Sequence, residues 1–166
     1  MPAGATYEPI ATATGDGSSG TITFSSISGY TDIRAILSGT TTSSVVLGMR
    51  FNGDSTTLYS QTYLYGNGTT AASYRESTQN RNYLHSAAGT STTIPQMWIV
   101  DIFNYSGSTN KTSLVQCSMD FNGSGAVERE VCLYRSTSAI TSISFITGSG
   151  AFSTNFKATL YGIKAA

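Results

Sequence analysis

Residues 134–163 read YRSTSAITSISFITGSGAFSTNFKATLYGI, and this stretch decides the fold class. Ile143 and Phe145 alternate with serines, which is the two-residue period of a half-buried strand. A Gly-Ser-Gly break follows, and glycine permits the positive φ that turns require. A second alternation then runs from Phe156 to Leu160. The stretch predicts two strands joined by a turn, with the second strand added last to a sheet.

Similar strand-like runs, separated by turn residues, recur along the rest of the chain, and no segment has sustained helical periodicity. The clearest is SVVLGMRFNGD at 44–54, which ends in an Asn-Gly pair typical of a tight turn. The pattern predicts a single all-β domain over residues 1–166, an antiparallel β-sandwich of jelly-roll-like form. Within it we predict a flexible N-terminal arm at 1–6 and a long polar excursion at 67–93, in which a short strand is left open.

Composition restricts the partners of the protein. Only 11% of the 166 residues are charged, against about 25% in a typical soluble domain, and the net charge is zero. A neutral chain has no electrostatic attraction to nucleic acid or anionic membranes, so neither is expected as a partner. The N-terminal sequence lacks the basic and apolar regions of a secretory signal, and no apolar run is long enough to span a bilayer.

Aromatic residues supply the candidate interface. The run at 58–65 places Tyr59, Tyr63 and Tyr65 on one strand face, and the run around Trp98 is apolar on both faces. Tyrosine and tryptophan are enriched at protein interfaces, and tyrosine can also stack on sugars. Ordinary packing within a sandwich is the alternative. We predict these four residues as interface residues.

Motifs that could indicate catalysis each have a simpler explanation. GDGSSG at 15–20 matches a dinucleotide-binding fingerprint, but a strand-like TITF follows it where the motif requires a helix. His85 is the only histidine, and no nucleophile elbow accompanies it. Glu128 and Glu130 share a strand face, which predicts a solvated position. We therefore expect no catalytic residues, no cofactor, no metal site and no enzymatic activity.

Two cysteines, Cys117 and Cys132, are too few for a disulfide framework and lack metal-binding spacing. We interpret them as small buried hydrophobic residues, and a disulfide between them remains open.

Five segments together resemble a group of virion structural proteins of tailed bacteriophages: YEPIATATG at 7–15, ITFSSISGYTDIRAILSG at 22–39, RFNGD at 50–54, YLYGNG at 63–68, and the stretch 134–163. The resemblance implies a β-sandwich module of a head or a tail, often jelly-roll-like, and it carries no active-site residues.

The resemblance makes a capsid decoration (cement) protein, located on the virion after synthesis in the host cytoplasm, the first hypothesis. Its expected partners are the major capsid protein, or other virion proteins, and further copies of itself. Three-fold positions on icosahedral heads and trimeric fibres imply a homotrimer. The alternative is a tail or head fibre module that binds host surface glycan, and an enzyme acting on polysaccharide is a third, weaker hypothesis.

Overall fold

A computed structural model describes residues 6–84 and 89–164. Every regular element in these ranges is a strand, and twelve are present: β1 (Tyr7–Thr14), β2 (Thr21–Phe24), β3 (Asp32–Gly39), β4 (Leu47–Phe51), β5 (Tyr59–Gly66), β6 (Ala71–Gln79), β7 (Asn82–Tyr83), β8 (Gln96–Phe103), β9 (Lys111–Asp120), β10 (Gly125–Tyr134), β11 (Ile143–Thr147) and β12 (Lys157–Ile163).

The strands form two antiparallel sheets that pack against each other. The large sheet has the order β1-β12-β3-β8-β9-β10-β5-β6, and the small sheet has the order β2-β11-β4-β7. Every connection from β1 to β5 passes from one sheet to the other. The chain changes sheet again before and after β7, and before and after β11. The predicted β-sandwich is confirmed.

A core of alternating apolar side chains fills the space between the sheets. Alternate residues are buried in β2, β3, β4 and β12, among them Phe24, Leu37, Met49 and Leu160. Each such side chain contributes about 1.5–3 kcal/mol when it is fully removed from water. The two-residue period therefore identified the core correctly for most strands.

The stretch 134–163 forms two strands as predicted, but these strands belong to different sheets. β11 lies between β2 and β4 in the small sheet, whereas β12 lies between β1 and β3 in the large sheet. The glycine-containing break, with Gly150 at φ 67°, allows the chain to cross from one sheet to the other. These two strands consequently anchor the C-terminal part of the chain in both layers.

The predicted tight turn after β4 is confirmed by its backbone. Asn52 and Gly53 both have positive φ, at 54° and 68°, and the amide of Asp54 donates to the carbonyl of Phe51 at 2.9 Å. A hairpin also joins β9 and β10, and it turns at Asn122 and Gly123, which both have positive φ.

The predicted excursion needs a correction, and the predicted N-terminal arm lies almost wholly outside the described residues. The long excursion at 67–93 contains the nine-residue strand β6, which pairs with β5 along the edge of the large sheet. Backbone pairing with β5 makes this polar segment a strand even though it has little apolar alternation. Of the predicted arm at 1–6, only Thr6 belongs to the described residues.

Candidate interaction surface

The large sheet has one face against the small sheet and one face toward solvent, and we call the latter the outer face. It is unusually apolar for a solvated surface. Val127 and Leu64 are 63% and 62% exposed, and Met97 is 50% exposed. Other exposed apolar side chains on this face are Ile36, Phe103, Leu114 and Val131. Exposed apolar areas are common at contact sites between proteins, which makes this face the candidate interaction surface.

Strand register brings these side chains together across five neighbouring strands. Ile36 of β3 pairs with Ile99 of β8, and Leu114 of β9 pairs with Val131 of β10. Leu64 of β5 lies opposite Arg129 of β10. Outward side chains on adjacent strands are about 5 Å apart, so the two apolar pairs each form a local apolar contact. Gln116 and Arg129 lie between Ile99 and Leu64 in the same row.

Strand β10 has the reverse of the expected polarity. Its inward residues include Glu128 and Glu130, at 2% and 3% exposure, while Val127 and Val131 point outward. The prediction that the two glutamates are solvated is therefore wrong. The inward orientation also buries Tyr134, which stacks on the core aromatic ring of Tyr59 with ring centroids 4.7 Å apart.

Hydrogen bonding reinforces this orientation. The hydroxyl of Tyr134 donates to a carboxylate oxygen of Asp54 at 2.8 Å. The Asp54 carboxylate also accepts from the backbone and side chain of Thr56, and these bonds hold the pKa of Asp54 below its ordinary value. Asp54 is thus a turn-capping residue that fixes the end of β10.

Burial of the glutamates changes their chemistry. Removal from water raises the pKa of Glu130 to about 9, and the nearby carboxyls of Glu128 and Glu76 add to the rise. Burial also raises the pKa of Glu76. The Oε1 atom of Glu130 has no hydrogen-bond partner, nor do the side-chain amide atoms of fully buried Asn82. A neutral, protonated Glu130 is the form that this site favours at neutral pH.

Charges on the outer face are few. Arg34 of β3 binds Asp101 of β8 through two hydrogen bonds, of 2.6 and 2.8 Å, and this bidentate pair is internally neutral. Arg75 donates to the hydroxyl of Thr62 at 3.4 Å. Arg129, near the centre of the face, is exposed. The outer face therefore suits a protein surface better than a highly charged polymer.

The aromatic residues predicted as an interface are mostly buried. Tyr59 and Trp98 are 0% exposed and Tyr63 is 6% exposed, so their prediction as interface residues is wrong. The face on which they lie is directed into the sandwich, where Trp98 packs near Phe156 with ring centroids 6.0 Å apart. Tyr65 is partly exposed, and its role stays a prediction.

Tyr65 does belong to a small aromatic cluster. Tyr74 of edge strand β6 stacks against Tyr63 and Tyr65, with ring centroids 5.4 and 5.8 Å away, and it is 49% exposed. The small sheet's edge strand β7 lies against β5 and β10, which leaves β6 at the open margin of the sandwich. This margin is the second place where an apolar or sugar surface could contact the protein.

The motifs considered for catalysis or cofactor binding have structural roles or lie outside the described residues. In GDGSSG, the Asp16 carboxylate accepts from the amides of Ser18 and Ser19 and caps the turn before strand β2. His85 lies outside the described residues. Within the described ranges, no group of three or more His, Cys, Asp and Glu side chains could hold a metal ion. No helix in these ranges is long and apolar enough to cross a membrane.

The cysteine interpretation is confirmed. Cys117 and Cys132 are both free and buried, so the structure contains no disulfide between them. Burial raises the pKa of each thiol above its ordinary value. Both side chains therefore pack as small apolar groups of low reactivity.

Comparison with known proteins gives no family. No protein-family model matches the chain, and no curated protein matches it. A structure of infectious bursal disease virus, Gt strain, has 14% identity and a TM-score of 0.21; the match covers 95% of this chain and 40% of that chain. A non-toxic crystal protein from Bacillus thuringiensis has 11% identity and a TM-score of 0.13, with 95% and 86% coverage. Scores this low carry no argument about function.

Proposed function

We propose that the protein is a structural component of a bacteriophage virion, and specifically a capsid decoration protein. The observation that carries the proposal is the apolar outer face of the large sheet, where Leu64, Met97 and Val127 are at least half exposed. A surface of this composition is stable in water mainly when another protein covers it. The resemblance of the segments quoted above to tailed-phage virion proteins supplies the setting.

The interior supports a role in assembly. The core between the sheets is already filled by residues such as Trp98, Phe145 and Phe156, all with 0% exposure. The outer apolar side chains lie outside this core. They are available for contacts between molecules, which a protein that stabilises a particle requires.

Electron microscopy of phage particles whose genome encodes the chain tests this proposal. Antibody labelling should place the protein on the head, and particles that lack it should lose infectivity at a lower temperature than complete particles. Label on the tail tip, or equal heat stability of the two kinds of particle, would refute the decoration role.

The fibre module that binds host glycan remains the second candidate because of the exposed aromatic cluster at the sandwich margin. Tyr74 offers half of its surface and stacks on Tyr65, which is a geometry that can receive a sugar ring. In this case Tyr74→Ala should abolish glycan-array binding, whereas Tyr7→Ala, at a similarly exposed tyrosine, should leave it unchanged. Absence of glycan binding by the unaltered protein removes this candidate.

The homotrimer and the absence of enzymatic activity stay predictions. The two-chain pair inferred below is an alternative to the homotrimer, and the mass of the purified protein decides between them. Three-fold symmetry came from the phage resemblance, and three of the four residues predicted to form its interface are buried in the core. A different surface must therefore mediate any self-association.

A further inference from the structure

We infer that the outer face pairs with the outer face of a second copy of this chain, around a two-fold axis that runs parallel to the strands between β9 and β10. This second copy would cover the surface on which the proposed function rests. Pairing is a property of the purified chain, so it can hold or fail independently of the protein's location on a particle.

The size of the outer face fits such a pair. The face spans six neighbouring strands, in the order β3, β8, β9, β10, β5 and β6. Their spacing of about 4.8 Å gives a width of roughly 29 Å. Four rows of outward side chains, spaced by about 6.7 Å, give a length of roughly 27 Å. The product is on the order of 800 Å² per copy, which is what each partner contributes to a stable interface of standard size.

The strand register makes this face complementary to itself. The axis exchanges β9 with β10, and β8 with β5, while each row of side chains keeps its level. Leu114 would then contact the partner's Val131, because these two residues share a row. Ile99 and Leu64 also share a row, through Gln116 and Arg129, and each would contact the other in the partner. In these two rows apolar side chains meet apolar side chains across the axis. In a third row Val127 would face the partner's Ser118, and Met97 would face the partner's Gly66.

Charge selects this position of the axis. Arg129 shares its row with Gln116 and would face the partner's amide, which can accept a hydrogen bond from the guanidinium. An axis on β9 would press Arg129 against the partner's Ile99, and an axis on β10 would bring two Arg129 side chains together. Desolvating an unpaired charge, or opposing two like charges, costs several kcal/mol. At the solvent-accessible rim, Arg75 would lie opposite the partner's Arg34, a like charge that is already paired with Asp101 within its own chain.

A second copy also suits the electrostatics of the whole chain. Its net charge is zero and charged residues are sparse, so two copies do not repel each other. Two-fold pairing uses the same surface on both copies and closes without further growth. The exposed valines and leucines of the outer face would then be covered in the assembled protein.

The test is the mass of the purified protein by light scattering at micromolar concentration. We expect twice the 17.5 kDa of one chain. Leu64→Glu alone and Ile99→Lys alone should each weaken pairing by more than about a hundredfold, since each buries an unpaired charge twice per pair. An equimolar mixture of the two variants should recover the two-chain mass, because the new carboxylate and ammonium then meet across the axis.

The recovery separates pairing from a general loss of structure. Recovery requires contact between two chains, because each chain carries only one of the new charges. Leu64 and Ile99 of one chain are also three strand spacings, about 14 Å, apart. Thr23→Lys, at an exposed position on the small sheet, is the matched control and should keep the two-chain mass. A monomer or a trimer of the unaltered protein overturns the inference, and so does a mixture that stays monomeric while both variants remain folded.

Discussion

Glu130→Gln replaces a carboxyl that is 3% exposed with a neutral amide of nearly the same shape. In the folded protein, burial together with Glu128 and Glu76 raises the pKa of Glu130 from 4.5 to about 9. In the unfolded chain the carboxyl ionises near its ordinary pKa. Between these two values the folded state therefore holds a proton that the unfolded state has released. Stability of the unaltered protein is greatest below the unfolded pKa and falls as the pH rises toward 9.

The expected size follows from the separation between the two pKa values. Each pH unit above the unfolded pKa of 4.5 favours the unfolded state by about 1.4 kcal/mol. At pH 7 the unaltered protein is thus less stable than the glutamine variant by about 3 kcal/mol, whereas near pH 4 the two are nearly equal. A difference of this size is a large part of the total stability of a domain.

Urea unfolding of both proteins at pH 4, 5, 6, 7 and 8 measures this difference directly. Other titrating groups are common to both proteins, so they cancel when the free energies of unfolding are subtracted. Glu8→Gln is the control: Glu8 binds Lys164 at the surface, at 2.9 Å, and its loss should change stability by less than about 1 kcal/mol. A glutamine variant that is less stable than the unaltered protein at pH 7 would show that Glu130 is ionised in the folded protein and that other groups stabilise its charge.

Further predictions concern the core, a buried ammonium and the thiols. Phe156→Ala should lower the free energy of unfolding by about 3–5 kcal/mol in urea titration, because its ring is fully buried, while exposed Tyr7→Ala should change it by less than about 0.5 kcal/mol. Lys111→Met should cost about 1–3 kcal/mol, since the buried Nζ atom donates to three loop carbonyls; an unchanged urea midpoint would show that these bonds contribute nothing. Cys117 and Cys132 should react with a thiol reagent only after unfolding, and rapid labelling of the native protein would mean that the sandwich opens locally.

The two-residue period predicted most of the core because each strand with one apolar face has only one orientation that buries it. Ile22 and Phe24 of β2, and Val115 and Met119 of β9, are buried as their alternation predicts. The period does not reveal which sheet a strand joins. β11 and β12 are neighbours along the chain yet lie in different sheets, because pairing with distant strands decides the sheet.

Strand β6 shows a further limit of sequence patterns. Its residues Ala71–Gln79 are polar and largely exposed, so they have no apolar alternation to detect. The segment is a strand because the edge of β5 supplies backbone hydrogen bonds, and a polar edge strand needs little more.

The candidate surface was visible only in part from the sequence. The run around Trp98 is apolar on both faces, and the face opposite Trp98 carries Met97 and Phe103, which are exposed on the outer face. Tyr59 was predicted as an interface residue because aromatic residues are common at interfaces, but its side chain lies in the core. A better signal was the alternation of valine with glutamate in β10, where either set of side chains could have been inward. Sequence alone could not decide this orientation.

The orientation of β10 connects the buried carboxyls to the outer face, since the two sets of residues alternate along one strand. A register shift of one residue would expose Glu128 and Glu130 and bury Val127 and Val131, but it would also bury Arg129 and expose Tyr134. The observed orientation keeps the contacts of Tyr134 with Tyr59 and Asp54, at the cost of two buried glutamates and an apolar surface in water. Covering the outer face with a second copy removes the latter cost. We therefore expect the pair to unfold at a higher temperature as protein concentration rises, and a melting temperature independent of concentration would contradict this link between folding and pairing.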